Sequence, residues 1–265
     1  MQCTFKDSTN IKKIITALEH GVENLILYVN KQGINVAATN ASHTDMRELV
    51  LTPNYFESFK CDEEEAILLG INMGLFKKFI NTASSSDKIT WKADVKNAHF
   101  DIEIASIGEN KTVKNWTLKL IDIDTEALSP PPNPSFDVGM RISSLLVTDW
   151  IANCKLLNGN VTIGIEKNTC ITVDCEADEG SLSLKQALPS VMAAIFHTSP
   201  EFNKLKLTIS SKEAEYLNTM IKCAPGIDIE LNTQMPLCAT SYLNTEQTSY
   251  IRLWIAPVAS DDDDI

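Results

Sequence analysis

Glycine is scarce in this sequence, and long hydrophobic runs are absent. Only 10 of the 265 residues are glycine. Neither Gly-x-x-x-x-Gly-Lys-Ser/Thr nor Gly-x-Gly-x-x-Gly occurs, which excludes the usual phosphate-binding loops of nucleotide-dependent enzymes. No stretch approaches the roughly 20 apolar residues of a transmembrane helix, and the N-terminus lacks the features of a signal peptide. We therefore expect a globular protein with no membrane partner.

Catalytic and metal-binding motifs are also missing. The 7 cysteines include no Cys-x-x-Cys pair, which argues against zinc and for reduced thiols. The 4 histidines are isolated, and neither His-Glu-x-x-His nor Gly-x-Ser-x-Gly occurs. One alternative is an enzyme in which Asp122, Asp124 and Glu126 share a divalent metal. The sequence otherwise predicts no catalytic residue, no metal and no cofactor.

Positive charge is in short supply. The chain has 23 lysines and arginines against 35 aspartates and glutamates, a formal net charge of −12. If this charge were spread evenly it would argue against nucleic-acid binding, because phosphates require cations. The argument fails if the lysines are segregated onto one surface, so their positions matter more than their number.

Four segments have the apolar spacing of amphipathic helices. They are predicted to begin with Ser8 or Thr9 as N-cap, near Asn72, near Ser143 and at Ser210. Gly21 suits the C-terminal end of the first helix, and Glu213 completes a capping box in the fourth. The expected apolar stripes are Ile11, Ile14, Ile15 and Leu18; Met73, Phe76, Phe79 and Ile80; Leu146, Trp150, Ile151 and Cys154; and Leu217, Met220 and Ile221.

Short runs that alternate apolar and polar residues separate the helices. They include residues 25–29, 34–37, 100–104, 161–165, 205–209 and 227–231. Such alternation predicts half-buried antiparallel strands. The helix starts recur about every 65–70 residues, which indicates an internal repeat. The sequence therefore predicts an α+β fold in which one helix and about four strands form a unit that occurs four times.

A proline-rich segment lies at the middle of the chain. Residues 129–135, Ser-Pro-Pro-Pro-Asn-Pro-Ser, favour extended polyproline geometry and cannot join a sheet interior. We interpret them as part of a connecting loop, 118–135, between similar domains at 1–117 and 136–258; an ordinary long surface loop is the alternative. The acidic tail, 259–265, is expected to be disordered because its carboxylates repel one another.

Lysines recur on the predicted helices, away from the apolar stripes. They are Lys12 and Lys13 on the first helix, Lys77 and Lys78 on the second, Lys155 on the third and Lys222 near the end of the fourth. If the four helices line one concave surface, that surface is positive in an otherwise acidic protein and attracts anions.

Several motifs, in order along the chain, resemble those of the proliferating cell nuclear antigen family of sliding clamps. They are residues 10–18, 41–43, 60–62, 70–73, 118–124, 216–218 and 255–257, the last followed by the acidic tail. The resemblance covers essentially the whole chain. It implies a DNA clamp fold with helices on the inner face of antiparallel sheets. Three two-domain chains would form a head-to-tail, pseudo-six-fold homotrimeric ring that is not an enzyme.

The resemblance also implies binding sites. The helix lysines would contact the phosphates of enclosed double-stranded DNA without reading its sequence. A DNA polymerase, a clamp loader and other proteins with short apolar and aromatic motifs would bind beside the connecting loop. The matching positions for that partner site are Thr39, His43, Met46, Leu128, Pro236, Trp254, Ala256 and Pro257. For Trp254, pocket lining and core packing are equal alternatives.

The sequence departs from the family at three positions. Glu19, Asn81 and Glu215 stand where the family has basic residues facing the hole, so the inner surface is expected to be less positive. Lys167 matches the family's modified lysine. Ring closure would pair a strand near residues 113–119 with one near 181–185 of the next subunit.

Two alternatives keep the fold but change the assembly. The chain could be a subunit of a heteromeric checkpoint-type ring, or a monomeric polymerase accessory protein. The family works in the nucleus, which is the expected location, whereas a viral member would act at a cytoplasmic replication site.

Overall fold

The computed structural model describes residues 1–94, 98–107, 111–123 and 134–258, which divide into two compact units. Of these residues, unit one contains those up to 123 together with Tyr242–Ile251. Unit two contains 134–241 and 252–258. A short segment near the C-terminus thus groups with unit one, and the domain boundaries drawn from the sequence stay a prediction.

The described residues contain four α-helices, all at predicted positions. They are α1 (Ser8–Glu19), α2 (Met73–Asn81), α3 (Ser144–Cys154) and α4 (Ser211–Met220). Two short 3-10 helices, Pro53–Tyr55 and Ile221–Cys223, accompany them. Within unit one α1 packs against α2, and within unit two α3 packs against α4.

Side-chain caps explain where the helices begin. Asn72, Ser143 and Ser210 each accept a hydrogen bond from the first turn of the helix that follows, and the cap at Ser210 was predicted. The N-cap of α1 is Asp7 and not the predicted Ser8 or Thr9. The Asp7 carboxylate accepts hydrogen bonds from the amides of Thr9 and Asn10. The Ser8 hydroxyl instead donates to the carbonyls of residues 84 and 85, both at 3.0 Å.

Unit one contains nine strands. They are β1 (Gln2–Phe5), β2 (Asn24–Asn30), β3 (Gly33–Thr39), β4 (Asp45–Leu51), β5 (Phe56–Lys60), β6 (Ile67–Asn72), β7 (Lys88–Asp94), β8 (His99–Ala105) and β9 (Val113–Lys119). Their pairing follows the orders β5-β1-β7-β8-β9 and β4-β3-β2-β6. All these pairs are antiparallel. Strand β9 is therefore the last strand of its sheet.

Unit two repeats this plan. Its strands are β10 (Val138–Ser143), β11 (Asn160–Glu166), β12 (Cys170–Ala177), β13 (Gly180–Ala187), β14 (Ala193–Thr198), β15 (Lys204–Ile209), β16 (Gly226–Leu231) and β17 (Leu237–Tyr242). The orders are β14-β10-β16-β17 and β13-β12-β11-β15, again antiparallel. A last strand, β18 (Tyr250–Ile255), has residues in both units. The α+β class is confirmed.

The helix stripes form much of each core. All four predicted stripe residues of α1 are buried, and Phe76 packs against the rings of Trp91 and Phe100 beneath α2. Phe79 is only half-buried and stacks on Trp116 of β9 with ring centroids 4.6 Å apart. In α3 the core-facing residue of the first turn is Val147, which is buried. The neighbouring Leu146, which was predicted to face the core, is half-buried.

Candidate nucleic-acid interface and partner site

The six helix lysines differ in how far they are engaged by the protein itself. The Lys12 amine donates to the carbonyl of Ala83, just beyond α2. Lys13, Lys78 and Lys222 are exposed. Among the residues that the structure describes, no carboxylate forms an ion pair with any of these three. Of the six predicted lysines, these three remain available to an external anion.

In unit one, Lys77 is held by an acidic residue of the neighbouring helix. Its amine lies 2.5 Å from a carboxylate oxygen of Glu19, the last residue of α1. Both side chains are partly buried, with exposed fractions of 26% for Lys77 and 34% for Glu19. Glu19, one of the three departures from the family pattern, thus neutralises a predicted DNA-binding lysine.

In unit two, Lys155 has a corresponding partner. Its amine lies 2.8 Å from a carboxylate oxygen of Glu215 on α4. This pair is more exposed, at 66% for Lys155 and 45% for Glu215. Glu215 is the second departure, and Asn81, the third, is exposed at the end of α2.

Three predicted partner-binding residues lie at one end of the β3–β4 hairpin. Thr39 and Met46 are directly opposite each other in the ladder and both are half-buried. His43 is exposed in the connecting turn with a φ of 54°, and its amide donates to the carbonyl of Asn40 at 3.1 Å. The hairpin therefore presents these side chains together within unit one.

The other predicted partner-binding residues that the structure describes belong to unit two. Pro236 is half-buried, and Ala256 and Pro257 are exposed after β18. Trp254 is only 3% exposed and stacks on Phe136 with centroids 6.2 Å apart, which favours core packing for this ring. Leu128 lies outside the described residues, and partner binding at all these positions stays a prediction.

The approach to the predicted connecting loop is fixed to strand β6. The amide of Ile121 donates to the Gly70 carbonyl at 2.9 Å. A Cβ at Gly70 would lie 2.2 Å from the Ile121 carbonyl oxygen and 3.1 Å from the Ile123 side chain. Only glycine permits so close an approach of the two backbones. Residues 70–73 resemble a family motif, and the close approach of residue 121 explains why it contains a glycine.

The predicted modification lysine and the acidic residues of the alternative metal site lie in separate parts of the chain. Lys167 is half-buried in the turn between β11 and β12, and its amide donates to the Asn203 carbonyl at 2.9 Å. Asp122 is exposed, while Asp124, Glu126 and the tail 259–265 lie outside the described residues. Within the described ranges no cluster of three or more His, Cys, Asp or Glu residues suits a metal ion. No helix in those ranges is long and apolar enough to cross a membrane.

Comparisons with known proteins agree with this architecture. The family model for the N-terminal domain of proliferating cell nuclear antigen matches residues 1–127. The chain is 26% identical to proliferating cell nuclear antigen of Chaetomium thermophilum, with 99% of this chain and 100% of that protein covered. It is 23% identical to proliferating cell nuclear antigen 2 of Drosophila melanogaster, covering 96% and 95%.

A solved structure shares the fold. The crystal structure of the proliferating cell nuclear antigen from Entamoeba histolytica superposes with a TM-score of 0.84 at 18% identity, covering 97% of this chain and 98% of that one. The proteins of this family are scaffolds without enzymatic activity, in keeping with the absence of a catalytic motif from the sequence. The family-model match, the full-length relatives and the shared fold together make this chain a divergent sliding clamp of the proliferating cell nuclear antigen family.

Proposed function

We propose that the protein is a homotrimeric ring that encircles double-stranded DNA, acts as a polymerase processivity factor and recruits replication and repair proteins. The observation that carries the proposal is the likeness to a solved clamp over 97% of the chain with a TM-score of 0.84. In this proposal DNA is retained by topology, so the helices need only weak, sequence-independent phosphate contacts.

Two edge strands support head-to-tail closure. Strand β9 ends one sheet of unit one, and β13 ends one sheet of unit two. Each therefore presents unpaired backbone groups on one side. Val113 on β9 is 55% exposed, and the residues of β13 are exposed or half-buried. Pairing residues 113–119 of one chain with 181–185 of the next would satisfy these groups and extend the two sheets.

The lysines support DNA as the enclosed ligand. Lys13, Lys78 and Lys222 are exposed on or just after helices α1, α2 and α4. A ring of three chains would present nine such cations, enough for several simultaneous phosphate contacts. Lys12, Lys77 and Lys155 are engaged within the protein and contribute less.

Partner recruitment is proposed at the matched positions. The β3–β4 hairpin supplies Thr39, His43 and Met46. Pro236 lies just before β17, and Ala256 and Pro257 follow β18. The expected partners are proteins that insert a short apolar and aromatic peptide, such as a DNA polymerase or a clamp loader. Nuclear location and modification at Lys167 are parts of the same proposal.

A second candidate keeps the clamp fold but not the homotrimer. The ion pairs of Lys77 and Lys155 reduce the cations that one chain offers to DNA. In a heteromeric ring, other subunits would supply the missing positive charge. A monomeric polymerase accessory protein is the remaining form of this alternative.

Solution mass tests the proposal. Size-exclusion chromatography with light scattering is expected to give about three times 29.3 kDa at micromolar protein. A mass near 29.3 kDa would contradict the homotrimer and favour the heteromeric or monomeric form. For the trimer, retention on nicked circular DNA with loss from short linear DNA separates topological enclosure from simple binding, and polymerase extension assays then test processivity.

A further inference from the structure

The two inter-helix ion pairs occupy equivalent places in the two units. Each joins the end of the first helix of its unit to the second turn of the other helix. Glu19 and Lys155 both lie twelve residues after their N-caps, Asp7 and Ser143.

The partner residues are also equivalent. Lys77 and Glu215 both lie five residues after their N-caps, Asn72 and Ser210. The same contact thus occurs in both units with its charges exchanged. In unit one the acid is on the first helix, and in unit two it is on the second.

Each pair removes one lysine from the cations available to DNA. An ammonium already 2.5 or 2.8 Å from a carboxylate must exchange that partner for a phosphate. The released carboxylate then repels the same phosphate. The lysine–phosphate contact is therefore weakened both by loss of the ion pair and by this repulsion. Ion pairs that remain in contact with solvent contribute little to folding, so loss of either pair should leave the fold intact.

We propose that Glu19 and Glu215 are internal counter-charges that compete with DNA phosphates for Lys77 and Lys155 and so weaken the grip of the ring on DNA. This inference rests on the proposed function. The carboxylates are positioning residues, because they act through the lysines rather than on DNA. The pair in unit one is the less exposed and is screened less by salt, so Glu19 has the larger effect.

The test measures binding of the full chain to a fluorescein-labelled duplex by anisotropy, from about 50 to 200 mM salt. The double variant Glu19→Gln/Glu215→Gln is expected to bind about three- to tenfold more tightly at the low-salt end. The slope of log K against log salt should steepen by about 1 for each lysine released. Glu19→Gln alone should account for more than half of the gain in affinity.

The matched control is Glu57→Gln/Glu64→Gln. These glutamates form exposed ion pairs with Lys88 and Lys31, at 2.8 and 2.5 Å, outside the four helices. The control changes net charge by the same amount and breaks the same number of ion pairs. It should leave DNA affinity within about twofold of the wild type, which separates local release of lysines from a general change in charge.

A charge exchange gives a second readout. Glu19→Lys/Lys77→Glu restores an ion pair and gives unit one the polarity that unit two already has. Its affinity and salt slope should match the wild type within about twofold, whereas Glu19→Lys alone should bind more tightly. A purely structural role for the pair would not produce tighter binding in any variant.

Two outcomes would overturn the inference. If Lys13→Ala, Lys78→Ala and Lys222→Ala weaken binding but Glu19→Gln/Glu215→Gln equals its control, the inference alone is wrong. If no variant binds the duplex at any salt concentration, this inference fails, whereas the proposed function is judged separately by retention on nicked circular DNA.

Discussion

At the scale of single residues, strand β4 is unusual because two of its charged residues, Asp45 and Arg47, point inward. Asp45 and Arg47 are 3% and 2% exposed, while the alternate positions Met46 and Glu48 are half-buried. The Arg47 guanidinium donates to Asp45 at 3.0 Å and to the carbonyl of Leu18 in α1 at 2.9 Å. It therefore ties strand β4 to the C-terminal part of α1, a contact that alternation alone cannot predict.

Replacing Arg47 with methionine should lower the free energy of unfolding by about 3–5 kcal/mol, because a buried carboxylate loses its partner. Urea unfolding followed by circular dichroism measures the change. The double variant Asp45→Leu/Arg47→Met should lose less than the single variant, since no charge is left stranded in the interior. A double variant worse than the single one would argue against this account.

Glu230 predicts a pH dependence. Burial raises the pKa of this carboxyl group; Arg252 lowers it, Asp228 raises it further and His197 lowers it. The folded state therefore holds the proton more tightly than the unfolded chain does. The stability contribution of Glu230 is fully present below the ordinary pKa near 4.5 and is lost as pH rises through the folded pKa.

The variant Glu230→Gln should therefore gain stability relative to the wild type as pH rises from the acid range to neutral. Urea unfolding of both proteins across this range measures the difference. Glu176→Gln, an exposed position on β12, controls for the loss of one carboxylate. An advantage of Glu230→Gln that shrinks toward neutral pH would show that the sign is wrong.

At the scale of elements, β6 connects two regions of unit one that the proposed function uses. Its last residue, Asn72, caps α2 by accepting from the Leu75 amide at 2.9 Å. Two residues earlier, Gly70 holds the segment 121–123 that leads to the predicted connecting loop. One short strand thus positions both a lysine-bearing helix and the approach to the proposed partner site.

Two glycine-to-alanine changes should have opposite signs. Gly70→Ala forces a Cβ to within 2.2 Å of a backbone oxygen and should destabilise the protein by about 1–3 kcal/mol. At Gly74 in α2 a Cβ would meet only the Asn72 side chain at 3.6 Å, and Gly74→Ala should stabilise by about 0.5–1 kcal/mol. Urea unfolding compares the two, and loss of stability in both would contradict this reading.

The positions of the helices and of many strands were predictable from the sequence. Helical spacing with capping side chains located all four helices, and alternation located strands such as β2, β8 and β16. The wrong predictions concerned adjacent residues, either of which could have filled the same structural role. Asp7 and Ser8 can both cap α1, and Leu146 and Val147 can both face the core, so packing decides. The ion pairs of Lys77 and Lys155 join residues far apart in sequence and required the tertiary structure.

At the scale of the whole molecule, edge strand β9 should control assembly. Val113 is 55% exposed there, and in the proposed ring it would be covered by the next subunit. Val113→Asp should weaken trimer formation by tenfold or more, about 1.4 kcal/mol, without changing the circular dichroism spectrum. Light scattering over a dilution series measures this change.

The control for assembly is Val191→Asp, which places the same charge at a fully exposed loop position, 102% accessible. It should assemble as the wild type does. Equal loss of trimer in both variants would point to net charge rather than to edge pairing as the cause.

The exchanged ion pairs also say something about how an internal duplication diverges. Aligning the two halves of the chain residue by residue scores Glu19 against Lys155, and Lys77 against Glu215, as two unrelated mismatches. Counted as a pair, the product of the two charges is unchanged. What the duplicated architecture retains is the complementarity between two helices, and relationships of this kind become visible only when positions are compared two at a time.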